Sequence, residues 1–239
     1  MIDLTARQVQ ILRAIIEEYI KTAQSVGSDT IDRKYNIGVS PATIRNEMVS
    51  LTKKGYLVKN HSSSGRSPTP VALKLYVNEL MREKELSVAD EVSAKEKIWN
   101  SRKQLGTLLA EVSKVIAERS HALGIAMTDD GTIYHAGYAN LLEMPEFFDI
   151  EVIRNVLVLI EEVSLMEQIF NSGNSANIVQ IVFGQELGNH KLDPISIVFV
   201  NVNAGGRPCR IGALGSSRFN YPYLIPTMKY FKALIEELT

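Results

Sequence analysis

The constraint that bears hardest on this chain is Ser40–Lys54, SPATIRNEMVSLTKK, followed by Gly55. Ser-Pro marks a helix start: the Ser side chain accepts an orphan backbone N–H, and Pro occupies a position that needs none. Lys53 and Lys54 followed by Gly55 mark the stop. At 100° per residue, Ile44, Met48 and Leu51 fall within about 60° of one another and form one buried stripe. Ala42, Asn46, Val49 and Lys53 lie opposite. Thr43 and Ser50 flank them on one edge, Arg45 and Thr52 on the other, and Glu47 sits near the buried edge. The outward face is therefore short, polar and nearly free of acid.

The neighbouring segments set this helix in a small domain. Thr5 with Gln8 reads as a capping box, and Leu12, Ile15, Ile16, Tyr19 and Ile20 follow at helical spacing. Gly27-Ser28 is expected to cap a second, shorter helix carrying Ile31 and Tyr35, ended by Asn36-Ile37-Gly38. After residue 55, GYLVK is a short β-type run, and NHSSSGRSPTP is a loop or hairpin tip. A further helix is expected from about Val71 through Leu80. Three helices followed by a β-hairpin make a winged helix-turn-helix, assigned to residues 1–84.

Residues 84–93 are charged and mark a boundary. One long helix is expected from about 90 to 120, so that 85–120 forms a linker. Its Leu105, Leu108, Leu109 and Val112 make an apolar seam that either pairs two protomers or packs on the chain's own domain. Residues 121–239 read as an α+β domain with an antiparallel sheet. In it, LGIAMT and TIYHAGY flank an Asp129-Asp130-Gly131 turn, residues 151–170 are helical, and NIVQIVFG, PISIVFVNV and CRIGALG are strands. Asn203 to Arg207 joins the last two strands, and a helix closes the chain from about Pro222 to Leu238.

The net charge of −1 conceals an asymmetry. Residues 1–75 hold 11 Lys+Arg against 6 Asp+Glu, and the remainder 15 against 21. Only the first part is suited to a polyanion. A major groove selects for the outward face described above, because a helix must approach closely and phosphates repel carboxylates. Ala42, Thr43, Arg45 and Asn46 are the candidate base contacts: Asn pairs with adenine and Arg with guanine in bidentate fashion. Ser40, Ser50, Lys53, Lys54, Ser64, Arg66 and Thr69 are the candidate backbone contacts.

Catalytic motifs are missing. There is no HExxH, Walker loop or GxGxxG, and His61, His121, His135 and His190 are scattered without metal-ligand spacing. No enzyme activity, cofactor or metal is expected. The single Cys209 precludes an intrachain disulfide and is expected to be an inert buried thiol. No secretory signal or membrane-length apolar run occurs, so a cytoplasmic location is expected.

LTARQVQILRAIIEEYI, SVGSDTI and GVSPATIRNEMVSLTKKGYLVKNHSSSGRSPT, in this order and spacing, resemble the N-terminal domain of HrcA, the bacterial heat-shock repressor family. ANLLEMPEFFD at 139–149 and GALGSSRFNYPYLIPTMKYF at 212–231 resemble later segments of the family. The resemblance implies a winged helix joined to a GAF-like domain, and a homodimer that binds an inverted-repeat operator in double-stranded DNA upstream of chaperone genes. It also implies the chaperonin GroEL as a partner. The family carries a long segment, including an inserted dimerising subdomain, before the ANLL-type motif; here only about twenty residues separate Ser120 from Ala139. The 105–116 seam is a substitute dimer contact on this reading. The alternative is a winged-helix regulator gated by a small molecule in the C-terminal domain.

Overall fold

The computed structural model describes residues 3–59, 65–172 and 177–239. The chain forms two compact units, Met1–Arg82 and Glu83–Thr239.

In the first unit, helix α1 (Ala6–Thr22) begins with the expected capping box. The Thr5 hydroxyl accepts the Gln8 N–H at 3.2 Å, and the Gln8 side chain accepts the Thr5 N–H at 3.3 Å. Ile11, Leu12, Ile15 and Ile16 are fully buried, the three-four spacing that puts one helix face in a core. Helix α2 (Ser28–Lys34) follows. Gly27 occupies the cap position without a side-chain bond, and Ser28 is a buried residue of the first turn, not part of the cap. Lys34 and Tyr35 both reach the buried carboxylate of Glu18 on α1, at 2.5 and 3.4 Å. Burial, and then the Glu18 charge, pushes the Tyr35 hydroxyl up to about 12.

Helix α3 (Pro41–Lys53) leads into strand β1 (Leu57–Val58), which pairs antiparallel with β2 (Ser67–Pro68) in the register Leu57↔Pro68. The second arm is fastened to the α1–α2 turn. Val26 and Arg66 exchange two backbone hydrogen bonds of 2.9 Å, and Gly65 lies so near that an added Cβ would stand 2.4 Å from the Val26 carbonyl. Only glycine fits there. The helix expected over 71–80 is α4 (Pro70–Leu75) continued by a π-type turn, Tyr76–Leu80.

The second unit opens with two helices where one was expected, α5 (Val88–Trp99) and α6 (Leu105–Ser120). The intervening Ser101-Arg102-Lys103-Gln104 offers no apolar side chain to a core. Arg102 folds back instead, donating to the Trp99 carbonyl at 2.6 Å and lying 3.9 Å over its ring.

The sheet is antiparallel and five-stranded, in the order β4-β3-β7-β6-β5. Its strands are β3 (Leu123–Thr128), β4 (Ile133–Ala136), β5 (Val179–Phe183), β6 (Ile195–Ala204) and β7 (Arg207–Ser216). Both expected hairpins form. Gly205 and Gly206 close β6–β7 with positive φ at both positions, the requirement of a type I′ turn. In the β3–β4 turn the Asp130 carboxylate accepts from Thr128 and Thr132, and Arg207 binds Asp129 and Asp130 at 2.7 and 2.8 Å. The acidic pair thus has a structural partner.

Helix α6 packs against β3, β4 and β7. It approaches so closely that a Cβ on Gly124 would stand 2.0 Å from the Ser113 carbonyl. Leu108, Leu109 and Val112 are fully buried in this contact and Leu105 is half-buried. This corrects the seam's expected role: it is the chain's own core, and the region 85–120 is not a free linker. Helix α10 (Tyr221–Leu238) packs on β6. Short α7 (Tyr138–Leu142) and then α8 (Ile150–Glu161) and α9 (Val163–Ser172) contribute to a second core. There Val156, Met166 and Phe170 meet Ile125, Ile197 and Phe199. The helix expected over 151–170 breaks at Glu162, whose backbone is extended.

Candidate nucleic-acid interface

Helix α3 has the boundaries and the buried stripe expected of it. Ser40 caps it, accepting the Thr43 N–H at 3.3 Å, and Pro41 opens the first turn. Ile44, Met48 and Leu51 are buried. Ala42, Arg45, Asn46, Val49 and Lys53 are exposed, and Thr43 is half-buried with its hydroxyl 3.1 Å from that of Ser40. A Ser40→Ala variant is expected to lose about 1 kcal/mol of helix stability, read as a shifted urea midpoint of the first unit by circular dichroism.

The one carboxylate of α3 is withdrawn from this face. Glu47 accepts from the Gln8 side chain at 3.0 Å and lies 3.6 Å from Arg7, both on α1. The same Gln8 amide donates to Ser50 at 3.2 Å. Helical period puts Glu47 at the buried edge of α3, and α1 holds it there, so the exposed face is free of acid.

The candidate backbone contacts divide. Ser40 and Lys53 are exposed. Arg66 is half-buried, and its Nε donates to the Thr52 hydroxyl at 2.8 Å, which sets the side chain alongside the C-terminal half of α3. Lys54 donates to the Asp3 carbonyl at 2.5 Å and has the Asp3 carboxylate at 3.5 Å. Thr69 caps α4, accepting from Ala72 and donating to the Gly55 carbonyl at 2.7 Å. Ser50, Lys54 and Thr69 thus each have a partner within the unit, with Lys54 exposed and Ser50 and Thr69 half-buried. Ser64 and His61 lie outside the described residues. Lys59, just beyond β1, is also exposed.

The second unit has a cleft lined by Asp90, Arg119, His121 and Tyr223, among others. Its polar groups meet one another: Arg119 donates to Asp90 and to the Tyr223 hydroxyl, each at 3.0 Å. Cys209 is buried and its thiol is pushed up by that burial, as expected of an inert thiol. Among the described residues, no helix is long and apolar enough to cross a membrane.

Comparison with known proteins gives a consistent picture. The family model described as HrcA protein C terminal domain matches residues 36–225. The heat-inducible transcription repressor HrcA of Symbiobacterium thermophilum is 25% identical, with 97% of this chain and 98% of that protein covered. That of Clostridium tetani is 46% identical over 123 residues, covering 52% of this chain and 33% of the relative. The Symbiobacterium alignment runs over 333 residues against the 239 of this chain, so the relative carries sequence that this chain lacks. A crystal structure titled as that of a hypothetical protein at 2.2 Å resolution shares the fold, with a TM-score of 0.75 at 17% identity, covering 99% of this chain and 98% of the other.

Proposed function

Because the chain belongs to the HrcA family, we propose that it represses heat-shock genes by binding an inverted-repeat operator as a homodimer, with α3 in the major groove of each half-site. The first unit then acts as a winged helix-turn-helix, with the β1–β2 arm as its wing, and the second unit as a GAF-like regulatory domain. The observation that carries this reading is the acid-free exposed face of α3, with Glu47 held at the buried edge by Gln8 and Arg7. Arg45 and Asn46 read bases, Ala42 and Thr43 permit close approach, and the Ser40 end of the helix meets phosphate. Lys53 and Arg66 hold the backbone. A two-fold operator requires a two-fold protein, so two chains bind one duplex.

The deciding experiment is fluorescence anisotropy with a family-type inverted-repeat duplex against a scrambled duplex, over a range of salt concentrations. A preference of about a hundredfold, some 2.7 kcal/mol, with one dimer per duplex supports the proposal. Equal and salt-steep binding to both duplexes overturns sequence-specific repression. In the same assay Lys53→Ala weakens binding to both duplexes alike and lowers the log–log salt slope by about one per lost phosphate contact, about two per dimer. An unchanged slope removes Lys53 from the interface.

A further inference from the structure

Helix α8 is apolar on two faces. Its inner face, with Val152, Val156 and Ile160, is buried in the core beneath it. Its outer face carries Ile150 at 72% exposure, Val158 at 49% and Leu157 at 40%, and Phe148 just ahead of the helix is 72% exposed. Large apolar side chains gathered on one exposed helix face mark a surface that another molecule covers.

The charges on that outer face identify the molecule. Arg154 lies three residues before Leu157, and Glu161 three residues after Val158. Two copies of α8 laid antiparallel about a two-fold axis therefore put each Leu157 against the partner copy's Val158 and each Arg154 against its Glu161. This is the self-complementarity of an isologous contact. A parallel arrangement would set Arg154 on Arg154 and is repelled. Arg154 is available for the exchange: its side chain is 73% exposed, and its ion pair with Glu151 on the same helix spans 3.9 Å.

We propose that a second copy of this chain docks along the outer face of α8, antiparallel, about a two-fold axis between Leu157 and Val158. The α6 seam is consumed by the chain's own sheet, whereas the outer face of α8 keeps its large apolar side chains exposed. That this contact serves operator binding rests on the function proposed above.

Light scattering after size exclusion, without DNA and over a dilution series, reads the dimer directly. The wild-type chain is expected to be a dimer. Arg154→Glu or Glu161→Arg alone is expected to weaken it by at least about tenfold, 1.4 kcal/mol, and the double swap to restore it. All are exposed positions, so an unchanged thermal melt checks that each variant folds. As a second readout, an Arg154→Cys, Glu161→Cys chain should form a disulfide-linked dimer under mild oxidation. A monomeric wild type, or single swaps without effect and no crosslink, overturns the proposal. If operator preference survives with a dimer indifferent to these swaps, the interface is wrong and the repressor reading stands. If the swaps behave as expected but the operator is not preferred, the reverse holds.

Discussion

Asn46→Ala is expected to abolish most of the preference for operator over scrambled DNA while leaving affinity for the scrambled duplex unchanged. A bidentate side chain–base pair discriminates by roughly 1–3 kcal/mol. A two-fold dimer loses one such pair in each half-site, so the operator loses at least roughly 2 kcal/mol, about thirtyfold in affinity, up to the whole of its preference. Asn46 is exposed, and the buried stripe of α3 is on the other side, so the fold is untouched. Anisotropy on the two duplexes measures the effect. Arg45→Ala serves as the companion: it removes a cation as well as a base contact, so it should also lower the salt slope, whereas Asn46→Ala should not. If Asn46→Ala weakens both duplexes equally, the residue touches backbone or shapes the helix and does not read sequence.

Arg218→Ala is expected to destabilise the second unit by about 3–5 kcal/mol, the cost of leaving one member of a buried ion pair behind. Arg218 binds Glu146 through Nε and Nη2, with both side chains close to nine-tenths buried. Ser216 completes the arrangement, donating to Glu146 at 2.9 Å and accepting the Arg218 N–H at 3.1 Å. Burial pushes the Glu146 carboxyl upward, but the hydrogen bonds from Arg218, the backbone and Ser216, together with the Arg218 charge, outweigh it and hold the carboxyl below its ordinary value. A depressed folded value gives stability that is present above the unfolded value, about 4.3, and is lost as pH falls through the folded one. In Arg218→Ala burial is expected to outweigh the remaining hydrogen bonds and the sign reverses: the carboxyl is raised, and stability is lost as pH rises past the unfolded value. Urea unfolding at pH 7 and pH 5 should therefore show a deficit that shrinks at the lower pH. A deficit below about 1 kcal/mol at both would mean that water screens the pair.

The amino-acid sequence alone determined what depends on neighbours three or four residues apart. The Thr5–Gln8 capping box, the Ser40-Pro41 start of α3, its Ile44-Met48-Leu51 stripe and the Gly205-Gly206 turn all formed where they were read. Each is a short hydrogen-bonded loop or a fixed angular period, and the residues themselves enforce it. The acid-poor face of α3 was legible for the same reason. What only the tertiary structure decided is which distant group each side chain meets. Gln8 holds Glu47 and Ser50 from about forty residues away, Lys54 closes on Asp3, and Thr69 turns to the Gly55 carbonyl. Three expected DNA contacts found partners within the unit by that route, because a hydroxyl or an ammonium carries no mark of its eventual partner. The α6 seam makes the same point for apolar groups. Its spacing required that Leu108, Leu109 and Val112 be buried. Burying them on the chain's own sheet or on a second chain satisfies the hydrophobic effect equally, since that force is proportional to area and has no direction. The close approach at Gly124, with no room between β3 and α6, settled it.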